Sequence, residues 1–120
     1  MQFEWIYTLE NINWVELSNL YKIAPLGDKS PKDLKEVFSN SRYKCFIYES
    51  DVLVGVGRAL ADGADCSYIC DIAVLPNFQG SGIGKSLVTK LVELSEGHTK
   101  IILYTVPGKE LFYQKLGFKR

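Results

Sequence analysis

This chain of 120 residues predicts a single α/β domain built on one mixed, mostly antiparallel sheet flanked by helices. Three observations carry that prediction. Short apolar runs of strand length are interspersed with stretches of helical period. Three consecutive strand-like runs, joined only by turns, form an antiparallel meander in mid-chain. One strand–loop–helix–strand unit follows, and its two strands run parallel because a helix connects them. The length serves one hydrophobic core, and no repeat, linker or low-complexity segment divides residues 1–120.

The elements follow in order. Phe3 to Thr8 alternates large apolar and polar residues, as an opening strand does. Asn13 caps a helix over Trp14–Ile23, whose Leu17, Leu20 and Tyr21 fall on one stripe, and Pro25 and Gly27 interrupt it. Ser30 followed by Pro31 and Asp33 marks a second helix start, with Leu34, Val37 and Phe38 as its buried face and an end near Asn40. Tyr43–Tyr48 and Val52–Ala61 read as a hairpin around Glu49-Ser50-Asp51, and a turn at Ala61–Asp65 leads into a strand over Cys66–Val74. Gly84–Glu96 has a helical apolar period, and Ile101–Tyr104 is a short buried strand parallel to the one before that helix. Glu110–Leu116 predicts a last short helix closed by Gly117, leaving only Phe118–Arg120 for a closing strand.

Composition narrows the functional classes. Apolar residues make up 47% and charged residues 23%, within the range of globular proteins, and fourteen basic side chains balance fourteen acidic ones. Neither a net positive field nor a Lys/Arg-rich run points to nucleic acid. No stretch approaches the ~20 apolar residues of a membrane span, and no secretion signal opens the chain. Cys45, Cys66 and Cys70 lack redox or zinc spacing, so they read as reduced thiols of a cytoplasmic protein.

The chemistry concentrates in Asp71–Lys85, where a strand runs through a Pro-marked loop into Gly80, Gly82 and Gly84 at a helix start. Bare backbone N–H groups and the positive end of the helix dipole there form a cradle for a phosphate-bearing ligand. Three phosphate loops compete for these residues. The dinucleotide fingerprint needs GxGxxG and an acid after the next strand, whereas here the spacing is GxGxG and the strand ends at Tyr104-Thr105. A P-loop aligns as Gln79 to Ser86 with its first glycine replaced by Gln79, but the next strand lacks the aspartate that would hold magnesium. The third pattern, Gln-x-x-Gly-x-Gly, is met by Gln79, Gly82 and Gly84.

That third pattern resembles the acetyl-CoA loop of the GNAT superfamily of N-acetyltransferases. A second segment strengthens the resemblance: Phe112, Tyr113, Lys115, Gly117 and Phe118 follow the family's Phe-Tyr-x-Lys-x-Gly-Phe. The likeness is closest over residues 43–118. It implies acetyl transfer to a primary amine, on a small molecule or an exposed protein, with acetyl-CoA as co-substrate and no metal. Gly80, Ser81, Gly82, Ile83, Gly84 and Lys85 would then face the pyrophosphate, with Gln79 donating its amide to the same anion. By resemblance, Ile72, Ala73 and Val74 splay from the neighbouring strand and offer backbone groups to the pantetheine arm.

Acyl transfer benefits from an acid for the leaving sulfur and a base for the attacking ammonium. Tyr113 matches the family tyrosine placed near the sulfur. Asp71, an acid within a buried strand, is the best-placed carboxylate for the base. His98 lies in the loop after the helix, at the end away from the glycines. Trp14, Tyr21 and Phe38 read equally as acceptor-site walls or as core. The segment before Phe112 lacks the asparagine that the family often carries there. With so little sequence after Gly117, the sheet edge is expected to be completed by a second copy of the chain, or by a longer natural chain.

Overall fold

A computed structural model describes residues 2–104 together with Gln114, Gly117 and Phe118. Tyr113 and most of the expected last helix lie outside the described residues, as does all but the first residue of the closing strand. The described elements are β1 (Phe3–Ile6), α1 (Trp14–Ile23), α2 (Pro31–Ser39), β2 (Tyr43–Glu49), β3 (Val52–Ala61), β4 (Cys66–Val74), α3 (Ile83–Leu94) and β5 (Lys100–Leu103). A single 3₁₀ turn over Pro76–Phe78 lies between β4 and α3.

Each helix start is legible in its cap. Asn13 accepts the N–H groups of Val15 and Glu16 at 3.1 and 3.0 Å, and Ser30 accepts that of Asp33 at 3.0 Å with Pro31 in the first turn. The Ser50-Asp51 turn has positive φ at both residues, a type I′ geometry whose twist matches that of the flanking strands β2 and β3.

The five strands lie in chain order, β1-β2-β3-β4-β5, with antiparallel pairing up to β4 and parallel pairing of β4 with β5. Helices cover both faces. On one, α1 and α2 bury Leu17, Leu20, Tyr21, Leu34 and Phe38 against Phe46, Leu53, Val56 and Ala73. On the other, α3 buries Ile83, Leu87 and Leu91 against Cys45, Ile47, Val54, Ala59 and Ile69. Gly55 and Gly57 let α3 lie close on β3: a Cβ at Gly55 would stand 2.9 Å from Ile83 Cγ2, and one at Gly57 2.9 Å from Leu91 Cδ1.

Asp62 closes the β3–β4 turn by accepting the N–H groups of Ala64, Asp65 and Cys66 at 2.9, 2.7 and 3.1 Å. These bonds favour the charged form and hold its carboxyl down at about 2. Because this folded-state value lies below the unfolded one, the stabilisation is present above roughly pH 4 and lost as the pH falls towards 2. The stability difference between the native chain and Asp62→Ala should therefore shrink steadily between about pH 5 and about pH 2.5 in denaturant titrations. A difference that stays constant over that interval would remove the turn carboxylate from the account.

Candidate active site

The chain leaves the sheet at Leu75, whose N–H donates to the Val54 carbonyl at 2.9 Å. It then turns through Pro76–Phe78 and reaches the glycines. Gly80 and Gly82 have φ of +86° and +92°, the left-handed region that a side chain disfavours. A Cβ at either would meet nothing within 4 Å, so backbone conformation, not crowding, calls for glycine. Gly82 caps α3 without any side-chain bond, and its carbonyl accepts the first helical N–H, that of Ser86, at 3.0 Å. The N–H groups of Ile83, Gly84 and Lys85 precede that bond and have no intrahelical acceptor. Ile83 is buried and anchors the helix start, while Gly80, Ser81, Gly82 and Lys85 are exposed. The result is an open, positively polarised mouth.

Two side chains of this loop bond within the fold. The Ser81 hydroxyl bonds back to the Phe78 carbonyl and closes the turn. Gln79 Nε2 donates to the carbonyls of Val74 at 3.0 Å and Ala24 at 3.2 Å. Both amide hydrogens are thus engaged, and Gln79 clamps the loop to the ends of β4 and α1.

In β4, Arg58 pairs with Cys70 and Val56 with Ala73, so Asp71 and Ile72 together oppose Gly57. Asp71 occupies this bulge with φ +57°, a left-handed residue in mid-strand. On its other edge β4 pairs with β5, Cys66 to Ile69 matching Lys100 to Leu103, and the Tyr104 N–H donates to the Ile69 carbonyl at 3.0 Å. Beyond the bulge, the Leu75 bond to β3 sets the alternation, turning Ala73 towards β3 and Ile72 and Val74 away from it. The Val74 carbonyl is taken by Gln79, while the alternation leaves the Val74 N–H and the backbone groups of Ile72 facing away from β3. Ile72 and Val74 direct their side chains to the α3 face, whereas Ala73 packs under α1.

Asp71 is not a free carboxylate. Arg58 Nε lies 2.8 Å from its Oδ2 and Lys29 Nζ 3.8 Å from its Oδ1. Its carbonyl accepts the Tyr21 hydroxyl at 2.7 Å. Arg58 Nη1 donates to Ser41 Oγ at 3.1 Å, and the guanidinium lies 5.9 Å over the Phe38 ring. Burial pushes the Tyr21 phenol well above its ordinary range, the Asp71 charge adding to the shift. Sequence reasoning missed Arg58, Ser41 and the Tyr21 hydroxyl. A lone arginine in an apolar strand, opposite a lone aspartate in the next, was the signal available.

The remaining candidates take structural places. Tyr21 and Phe38 are fully buried, and Trp14 packs on Phe38 at 6.3 Å between ring centroids, so all three belong to the core. His98 Nε2 accepts the Gly63 N–H at 3.1 Å while Nδ1 faces the Ser95 carbonyl at 2.7 Å, stapling two turns together. Burial pushes the Cys45 thiol up to about 12 and raises that of Cys70, which leaves both protonated at neutral pH. Among the described residues no three His, Cys, Asp or Glu side chains cluster as a metal site, and no helix is long and apolar enough to cross a membrane.

A bulged strand ending at a glycine-capped helix, in a mixed sheet with helices on both faces, is the arrangement that the resemblance to the GNAT superfamily implies. The model of the acetyltransferase (GNAT) family matches residues 6–118, and the chain belongs to that family. It is 32% identical over 130 residues to an uncharacterized N-acetyltransferase of Pyropia yezoensis, covering 98% of this chain and 72% of that one. A probable acetyltransferase of unknown function from meticillin-resistant Staphylococcus aureus superposes with a TM-score of 0.88 at 22% identity, covering 99% of this chain and 91% of that one. Arabidopsis thaliana Naa50, solved with a CoA-linked peptide bisubstrate analogue, superposes with a TM-score of 0.78 at 22% identity, covering 99% and 84%. At 22% identity the two superpositions establish the fold alone.

Proposed function

We propose that this protein transfers the acetyl group of acetyl-CoA to a primary amine by direct attack within a ternary complex. One observation carries the reading. The bare mouth of α3 is clamped by Gln79 to the stretch of β4 whose backbone groups point away from the sheet. An anion cradle thus continues into a strand edge, which suits a ligand with a pyrophosphate at one end and amides along its arm. In the proposed complex, the N–H groups of Ile83, Gly84 and Lys85, with those of Gly80 and Gly82, receive the pyrophosphate. Ile72 and Val74 pair with the pantetheine amides, leaving the thioester near the bulge.

The amine nitrogen attacks the thioester carbonyl carbon, the oxyanion collapses, and the C–S bond breaks. Tyr113 supplies the proton for the departing thiolate. The acceptor reacts as its neutral fraction and its proton passes to solvent water. No metal takes part in these steps. The acceptor class is an amine on a small molecule or an exposed protein; the complex of Naa50 with the bisubstrate analogue CoA-Ac-MVNAL supports including the second.

Thiol release from acetyl-CoA across a panel of amines tests the reading. Turnover with at least one amine, reduced about 10²-fold or more in Tyr113→Phe, is the expected result. Binding of acetyl-CoA without turnover for every amine would make the protein a sensor of acyl-CoA instead.

Gln79→Ala removes two hydrogen bonds of about 1 kcal/mol each, so the dissociation constant for CoA should rise roughly ten- to thirtyfold. Calorimetry checks this, and an unchanged constant would mean that the loop holds its shape without the clamp.

A further inference from the structure

We propose that Arg58 is a positioning residue for acetyl-CoA: it holds Asp71 in left-handed backbone and thereby aims the outward groups of Ile72 and Val74 at the pantetheine arm. The inference rests on the acetyl-CoA reading above and assigns Asp71 a task other than proton abstraction.

A non-glycine residue at φ +57° in the middle of a strand is uncommon, and no turn residue beside it demands the conformation. Such residues persist where the surroundings over-determine them. The surroundings do so here, through three ties to one residue: the Tyr21 hydroxyl on its carbonyl, Arg58 on Oδ2 and Lys29 on Oδ1. Of the two cations Arg58 is the more constrained. Its side chain is 13% exposed against 31% for Lys29, and its contact is a hydrogen bond of 2.8 Å against 3.8 Å. Arg58 is itself fixed by Ser41 and the face of Phe38, and Ser41 in turn donates to the Val37 carbonyl at 2.7 Å. A rigid line therefore runs from the end of α2 through β3 to the bulge. It ends at the bulge, beyond which β4 turns Ile72 and Val74 away from β3.

An ion pair serving stability alone predicts different behaviour from a positioning device. Arg58→Met leaves the carboxylate only its long contact to Lys29 and lets the bulge relax. Glycine adopts φ near +57° without any tie. Adding Asp71→Gly to Arg58→Met should therefore restore the backbone, although it restores no charge.

The test is CoA affinity by calorimetry on the full chain, with steady-state kinetics and thermal unfolding on the same samples. Arg58→Met should raise the dissociation constant for CoA and the KM for acetyl-CoA about tenfold, with kcat falling less than about threefold. Arg58→Lys should lie between the two, since it keeps a charge but loses the fork that bonds Asp71 and Ser41 together. The double variant Arg58→Met/Asp71→Gly should regain at least half of the lost affinity on a logarithmic scale. The proposal is overturned if a folded Arg58→Met binds CoA within twofold of the native chain, or if the double variant binds no better than the single one. If the native chain itself binds no CoA, the acetyl-CoA reading fails first, and the two failures are thus told apart.

Discussion

Gly82→Val is expected to lower acetyl-CoA affinity by 10²-fold or more while leaving the chain folded. Gly82 has φ +92° and ψ −1°, and a Cβ there would meet nothing within 4 Å. The cost is therefore one of backbone conformation and not of collision. The left-handed region costs a residue with a Cβ about 1–2 kcal/mol, and a β-branched residue is a clear outlier there. Valine escapes by rotating to negative φ, which swings the cap away and turns the N–H groups of Ile83, Gly84 and Lys85 off a common point. Hydrogen bonds to a charged group contribute about 1.5–3 kcal/mol each, so misaligning two of them accounts for 10²-fold or more. Gly82→Ala should show a smaller loss of about tenfold. Calorimetric titration with CoA measures both, and an affinity for Gly82→Val within threefold of the native value would contradict the cradle.

Gly57→Val should destabilise the sheet by overpacking it against α3. A Cβ at this position would lie 2.6 Å from Ile72 Cδ1 and 2.9 Å from Leu91 Cδ1, both closer than carbon atoms approach. These are the ends of flexible side chains, so alanine is met by rotating them aside at modest cost. Two further methyl groups leave no such exit, because α3 lies directly on β3 at this point. Overpacking of this kind costs about 1–3 kcal/mol, which for a domain of this size lowers Tm by roughly 5–10 °C. Thermal unfolding by circular dichroism measures it. A Tm within about 2 °C of the native chain would show that α3 can lift from β3 freely.

The fold was largely legible because its signals are local. Caps at Asn13 and Ser30, alternation in β2 to β4 and the glycines before α3 each act within a few residues, and the structure places the elements within two or three positions of the expected ends. The helical connection also dictated the parallel pairing of β4 with β5. The site was legible in part. Glycines at φ above +80° report a backbone requirement that sequence carries directly. The task of Gln79 was not legible, because its partners are carbonyls of Val74 and Ala24, one of them on a helix more than fifty residues earlier. An acid in a buried strand invites reading as a base, and the sequence shows nothing of what surrounds Asp71. Its bulge, its left-handed backbone and its ties to Arg58, Lys29 and Tyr21 arise only from tertiary register. Tyr21 shows the same limit: its helical period marks it as core, which it is, but only the fold reveals what its hydroxyl holds.

Calorimetric titration of the native chain with acetyl-CoA, set beside Mg-ATP, tests the central claim most directly. The account predicts one site per chain for acetyl-CoA in the micromolar range usual for a co-substrate, on the order of 1–100 μM, and no heat from Mg-ATP. Saturable binding of Mg-ATP with none of acetyl-CoA would contradict it.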